Sequence, residues 1–250
     1  MRFSIKKRYI PNFITSLNLF SGCLSIVLAF EGFLLLAVYM IFLSAIFDFL
    51  DGMTARLLNV YSEIGKQLDS LADVVSFGVA PSVIVFFLMK GALYNTYYTP
   101  PLAELPVVDI LFLISPFLIA VFSGLRLAKF NVDERQNESF IGLPTPANAL
   151  FFVSLYIISL VNDHYLVQYL IQNKLILLAL IIIFSLLLVA EFPMFSLKFK
   201  NLGLRGNKIR FIFIGLSVVL LILLQSIAVP VIIILYILLS AINNWIYNLD

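Results

Sequence analysis

Apolar residues in this chain fall in long unbroken runs. They do not alternate with polar residues as in a half-buried strand, nor do they form the narrow stripe of a surface helix. Eight runs stand out, near 12–31, 33–58, 65–89, 107–130, 144–161, 174–191, 209–226 and 229–247. Each is close to the ~20 residues a helix needs to cross the hydrocarbon core. Continuous runs favour helices over the alternating strands of a barrel. The pattern predicts an all-α polytopic transmembrane bundle of about eight spans. A short turn around Ala228-Val229-Pro230 separates the last two. No long linker divides the chain, so a single domain over 1–250 is expected. Residues 1–10 read as a short basic segment lying at the membrane surface before Pro11 opens the first span.

Composition names the solvent. The chain is 62% hydrophobic and 12% charged, about half the charge of a soluble domain. Membrane lipid is therefore the expected surrounding, and no nucleic-acid partner is expected. With the N-terminus inside, Arg2, Lys6, Lys7, Arg8, Arg56, Lys66, Arg126, Lys129, Arg135, Lys198, Lys200, Arg205, Lys208 and Arg210 all fall on the inner side. Lys90 and Lys174 fall outside. That bias predicts both termini in the cytoplasm. The Lys198–Arg210 cluster reads as a topology signal with attraction for anionic lipid. Cys23 is the one cysteine, so no internal disulfide is possible. The residues before it are too polar for a signal-peptide core, which predicts an uncleaved helix. With one cysteine and one histidine, His164, zinc and iron–sulfur chemistry lack their usual ligands. His164, Glu31 and Glu191 read as solvated.

Acidic residues inside membrane spans are expensive and need a reason. Asp48 and Asp51 lie near the end of the second run, Asp69 and Asp73 near the start of the third. On a helix, Asp48, Asp51, Gly52 and Ala55 fall within ~100° of arc, and Gly65, Asp69, Asp73 and Ser76 within ~60°. A short turn around 59–62 makes the two helices antiparallel neighbours, so these faces can meet. Four carboxylates drawn out of bulk water either hold protons or hold a cation between them. An all-oxygen site suits Mg²⁺, Mn²⁺ or Ca²⁺. Four carboxylates are enough for two divalent ions, an arrangement suited to displacement at phosphorus. Residues 33–47 cover ~22 Å as a helix, which puts Asp48 near the cytoplasmic headgroup level. Arg56 and Lys66 are placed to meet anionic groups there. Gly52, Ala55 and Gly65 leave room for a bulky ligand. Two other readings stay open at this point. The acids are paired with nearby basic residues, or they line the ion path of a cation-coupled transporter. Their position toward one face counts against the transporter.

The stretch Asp48-x2-Asp51-Gly52-x2-Ala55-Arg56-x8-Gly65-x3-Asp69-x3-Asp73 resembles the signature of the CDP-alcohol phosphotransferase family, with no position missing. The resemblance implies that a hydroxyl attacks the β-phosphorus of a CDP-linked substrate and CMP leaves. It implies that Asp48, Asp51, Asp69 and Asp73 hold two divalent cations, Mg²⁺ or Mn²⁺, and that Asp73 also takes the acceptor's proton. By the same resemblance, Gly52, Ala55 and Gly65 line the CMP moiety and Arg56 lies by the nucleotide or its phosphates.

Three further stretches resemble the serine-using branch of that family: Pro11-Asn12-x2-Thr15-x2-Asn18, Gly124–Asn131, and Gly142-Leu143-Pro144-Thr145-Pro146-Ala147. They imply CDP-diacylglycerol and L-serine as substrates and phosphatidylserine as product, with another acceptor (glycerol 3-phosphate or inositol phosphate) as the alternative. A serine carboxylate needs a cation, and Arg126 and Lys129 are spaced i,i+3 on one helix. Lys129 stands where the branch more usually has Arg, which keeps the charge and loses the bidentate fork. Asn131 and Thr145 complete the expected headgroup pocket. Thr145-Pro146 reads as a helix start with its positive end toward the cytoplasm. Asn12, Thr15 and Asn18 share one side of the first span, in reach of nucleotide or headgroup. Pairing into a homodimer is a further expectation from such families.

Overall fold

The computed structural model describes residues 2–60, 62–94, 101–132, 140–161, 165–195, 203 and 207–247. His164, Arg135, Lys198, Lys200 and Arg205 lie outside the described residues. The chain is an all-α membrane bundle. Its helices are α1 (Arg2–Phe30), α2 (Leu34–Leu57), α3 (Glu63–Asp73), α4 (Ala80–Tyr94), α5 (Val107–Ile114), α6 (Phe117–Val132), α7 (Thr145–Val161), α8 (Tyr165–Gln172), α9 (Lys174–Val189), α10 (Lys208–Leu224) and α11 (Ala228–Tyr247). Five helical stretches are long and apolar enough to cross a membrane: Tyr9–Phe30, Leu34–Leu57, Glu63–Tyr94, Val107–Val132 and Lys208–Trp245. Thr145–Val161 and Lys174–Val189 are apolar but shorter. Large apolar side chains such as Phe20, Phe49, Leu71 and Ile222 are exposed, as expected where lipid is the neighbour.

The predicted runs all become helix, with differences at their ends. α1 does not open at Pro11 but runs unbroken from Arg2, with Pro11 inside it. Proline removes one intrahelical hydrogen bond there, and the helix tolerates the loss. The third run is not one regular helix. Between α3 and α4 lies a π-helical segment, Val74–Val79. Widened turns of this kind inside α-helices frequently mark functional sites. The last two runs separate at a 3₁₀ turn, Gln225–Ile227, with Gln225 at φ 47°. Pro230 therefore lies in the first turn of α11, not in the turn itself, a place where its missing N–H costs nothing.

One short sheet interrupts the helices. β1 (Phe140–Ile141) pairs antiparallel with β2 (Pro193–Met194). Gly142, at φ 76°, follows β1 and donates its N–H to the Phe192 carbonyl at 2.9 Å, while the Leu143 N–H reaches the Leu187 carbonyl at 2.9 Å. These bonds fix the entry into α7.

Small polar residues lock α1 to its neighbours, as lipid-dissolved bundles require in place of a hydrophobic drive. Ser25 Oγ donates to the Ala37 carbonyl at 2.8 Å. The Asn18 carbonyl accepts from both Ser44 Oγ (3.1 Å) and Ser76 Oγ (3.0 Å), so α1, α2 and the π segment meet at one residue.

Candidate metal and nucleotide site

α2 ends because Asn59 takes the left-handed conformation, φ 50°, which asparagine tolerates better than most residues. Ser62 then starts α3, its Oγ accepting from the Gly65 N–H at 3.0 Å. An N-cap bond of this kind contributes about 1 kcal/mol. The tight turn sets the two acidic faces against each other. Asp48, Asp51 and Asp69 each place a carboxylate oxygen within 4.8 Å of the other two. Asp51 is buried, Asp48 and Asp69 half-buried. Asp51 Oδ2 and Asp69 Oδ1 are buried with no hydrogen-bond partner among the described residues. Like charges this close and taken out of water repel unless a cation neutralises them. The donor set is all oxygen, and it fits a hard divalent ion.

Asp73 is not one of those three. It lies one turn further along α3, 8% exposed, and its Oδ1 accepts from Asn18 Nδ2 at 3.3 Å. Asn18 was expected on the ligand side of α1; the structure gives it to Asp73. The π segment begins at the next residue, and Ser76 within it bonds back to Asn18.

Beside the cluster opens a cavity of about 460 Å³, the size range of small-molecule sites. Asn12, Thr15, Asp51, Gly52, Ala55, Arg56, Gly65 and Asp69 line it, together with Lys66, Ser62 and Phe130. All the nucleotide-side residues expected from the sequence thus share one wall system. The two glycines act differently. A Cβ on Gly65 would come within 2.9 Å of Asn12 Oδ1 and of Ser62 Oγ, whereas one on Gly52 would meet nothing within 4 Å. A Cβ on Gly65 would turn the Asn12 and Ser62 side-chain ends aside; Gly52 leaves the cavity wall bare. Arg56 is exposed, with Nε donating to the Gly52 carbonyl at 2.9 Å.

The residues expected around the headgroup divide. Arg126 is 7% exposed, in electrostatic range of Asp73 and Tyr236, with its guanidinium 5.9 Å from the Phe130 ring centroid. Lys129, one turn on, is exposed. Asn131 joins a clasp between α6 and α3: its Nδ2 donates to Ser70 Oγ at 2.8 Å, and its carbonyl accepts from Lys66 Nζ at 3.1 Å. Thr145 is fully buried in the first turn of α7, and its hydroxyl has no partner among the described residues. Asn148, fully buried one turn later, has neither amide atom partnered among the described residues. A buried polar group left unpaired costs about 1–3 kcal/mol. Phe130 lines the cavity and was not singled out from sequence, although it sits inside the Gly124–Asn131 stretch that pointed to the acceptor.

The arrangement is that of a membrane-embedded, metal-dependent site opening on a nucleotide-sized cavity. A family model for CDP-alcohol phosphatidyltransferase matches residues 8–188, and the chain belongs to that family. Its curated relatives include proteins named CDP-diacylglycerol–serine O-phosphatidyltransferase. That of Helicobacter pylori strain J99 is 37% identical over 145 residues, covering 57% of this chain and 55% of the relative. That of Bacillus subtilis is 38% identical over 147 residues, 59% of this chain and 75% of the relative. That of Methanocaldococcus jannaschii is 40% identical over 152 residues, 60% of this chain and 62% of the relative. The matched segment thus spans little more than half the length of the Helicobacter relative.

Proposed function

We propose that this protein transfers a phosphatidyl group from CDP-diacylglycerol to the hydroxyl of L-serine, giving phosphatidylserine and CMP. The observation that carries the reading is the carboxylate cluster of the eight-position signature, folded against one cavity with that signature's glycines and arginine on its wall. The names of the relatives support serine as acceptor.

In this reading Asp48, Asp51 and Asp69, with help from Asp73, hold two Mg²⁺ or Mn²⁺ ions. When bound, such ions stabilise the developing charge on the attacking and leaving oxygens. The chain's own residues do the rest. Gly52, Ala55 and Gly65 admit the cytidine monophosphate part, and Arg56 and Lys66 stand at the rim for its anionic groups. Asn18 occupies Asp73 Oδ1 and leaves Oδ2 to take the serine hydroxyl proton. The serine oxygen bonds to the β-phosphorus as the bond to the CMP oxygen breaks, and CMP leaves with the electron pair. Buried Arg126 supplies the positive charge for the serine carboxylate. The acyl tails stay in lipid. The site faces the cytoplasm with both termini on that side, eight helices cross the membrane, and two copies pair.

The test is CMP release from CDP-diacylglycerol by the purified protein in detergent, with Mg²⁺ or Mn²⁺, comparing serine, glycerol 3-phosphate, inositol and inositol phosphate. Release that needs both serine and the metal is expected. Release with a different acceptor would keep the aspartate roles and overturn the serine pocket. No release from folded protein with any acceptor would reopen the transporter reading.

A further inference from the structure

The interior of α7 carries an amide that the mechanism above does not use. Asn148 is fully buried, and neither its Nδ2 nor its Oδ1 finds a partner among the described residues. The bundle does not treat buried polar groups this way as a rule. Ser25, Ser44, Ser76, Ser82, Ser154 and Ser240 all donate to backbone carbonyls. A few lone hydroxyls, Ser123 and Ser185 among them, do go unpaired. An amide with donor and acceptor both unmet is a heavier burden.

Position gives the reason. Thr145 and Asn148 are i,i+3 on α7 and both fully buried, so their unmet atoms share one face. α7 packs against the π segment that starts just after Asp73, and against α11. α6 packs against the same π segment, and its Arg126 lies in range of both Asp73 and Tyr236 of α11. Arg126 and the polar face of α7 therefore sit on two helices that pack against the same π segment. The Arg126 Nε is also buried and finds no partner among the described residues. Arg126, Thr145 and Asn148 together supply one fixed cation, one hydroxyl, and an amide that both donates and accepts.

We propose that Asn148 is an acceptor-specificity residue, which with Thr145 and Arg126 recognises a small zwitterion, an amino acid carrying carboxylate and ammonium together. The inference rests on the serine reading of the site. Arg126 meets the carboxylate, Asn148 Nδ2 donates to it, and Asn148 Oδ1 accepts from the ammonium. Acceptors lacking the ammonium leave Oδ1 unmet, and a site built for a hydrogen bond rejects partners that cannot make it. Lys129, exposed at the helix end, stands outside this recognition.

The experiment compares wild type, Asn148→Ala and Asn148→Leu in detergent. It measures KM for serine, KM for CDP-diacylglycerol, kcat, and the melting temperature without substrate. In the variants the serine KM is expected to rise about tenfold or more, with the CDP-diacylglycerol KM within about twofold of wild type. Asn148→Leu is expected to melt at or above the wild-type temperature, since it removes unmet polar atoms while keeping the branching of the side chain. A merely structural asparagine would give the reverse: a lower melting temperature and an unchanged serine KM. That result overturns the proposal while leaving serine as the acceptor. If Asn148→Leu does not fold, Asn148→Ala carries the comparison. If wild type uses no amino-acid acceptor, the serine reading fails on the unmutated protein, and this proposal falls with it.

Discussion

At the residue scale, what defines the site is a set of charges that the protein leaves unneutralised. Asp51 Oδ2 and Asp69 Oδ1 are buried and unpartnered, yet the three carboxylates stay within 4.8 Å of one another. Such a cluster works against folding when empty. Asp69→Ala is therefore expected to behave as a functional lesion and not a structural one. Turnover should fall by about 10²–10³-fold or more, the range for removing one electrostatic group from a transition state. The metal-free melting temperature should stay level or rise. Added Mg²⁺ or Mn²⁺ should raise the melting temperature of wild type and leave that of Asp69→Ala unmoved. Full activity of Asp69→Ala in the presence of a chelator would defeat the metal assignment.

The residues of this cluster were legible in the sequence because acid and glycine spacing on a helix is a local pattern. Fixed intervals from Asp48 to Asp73 fold into one place almost unaided. The partner of Asp73 was not legible in the same way. Asn18 lies 55 positions away, and its polar neighbours Asn12 and Thr15 suggested a single shared role. The structure splits them: Asn12 and Thr15 line the cavity, and Asn18 holds the buried carboxylate. Only the approach of α1 to the π segment makes that division.

At the scale of elements, that approach depends on Gly22. A Cβ there would overlap the Ser76 hydroxyl and come within 2.9 Å of the Ser76 Cα. Backbone cannot yield as a long side chain can, so α1 would have to move away from the π segment. Asn18 is one helical turn from Gly22 on the same face, and its bond to Asp73 would stretch with the shift. Gly22→Ala is expected to destabilise by about 1–3 kcal/mol, as overpacking does, and to lower turnover as well. Gly215→Ala is the control. A Cβ at Gly215 meets nothing within 4 Å, and removing a glycine from a helix interior should stabilise by about 0.5–1 kcal/mol. Melting temperature and CMP release on both variants check this; equal behaviour of the two would refute the close-approach argument. Hydrophobic runs located the helices but not this joint. A π turn adds one residue without changing the apolar character of the run. The turn before Pro230 was misplaced for a related reason: composition marks where lipid begins, not where hydrogen bonding does.

At the scale of the whole molecule, orientation in the membrane decides whether the site can reach a soluble acceptor. The acidic cluster lies near the end of α2 and the start of α3. The opposite end carries Glu31, exposed just after α1. The Phe30 ring there lies 5.8 Å from Phe87, and Lys90 Nζ lies 5.7 Å from the same ring. One of the two basic residues that the charge count assigned to the outside thus stands at the end remote from the site. Lys174, the other, rests its Nζ 5.2 Å over the Phe112 ring. Aromatic rings with lysines beside them are common membrane–water anchors. The proposed orientation puts the cluster inside and Lys90 outside. A labelling experiment tests it. In a Cys23→Ser background, Glu31→Cys and Glu63→Cys each put one thiol at an exposed position at opposite ends. A membrane-impermeant maleimide added to intact cells should label Glu31→Cys and spare Glu63→Cys until the membrane is permeabilised. The opposite pattern would put the carboxylates on the outer face. The site would then be cut off from cytoplasmic serine and nucleotide, and the proposed reaction could not run where its soluble substrate is supplied.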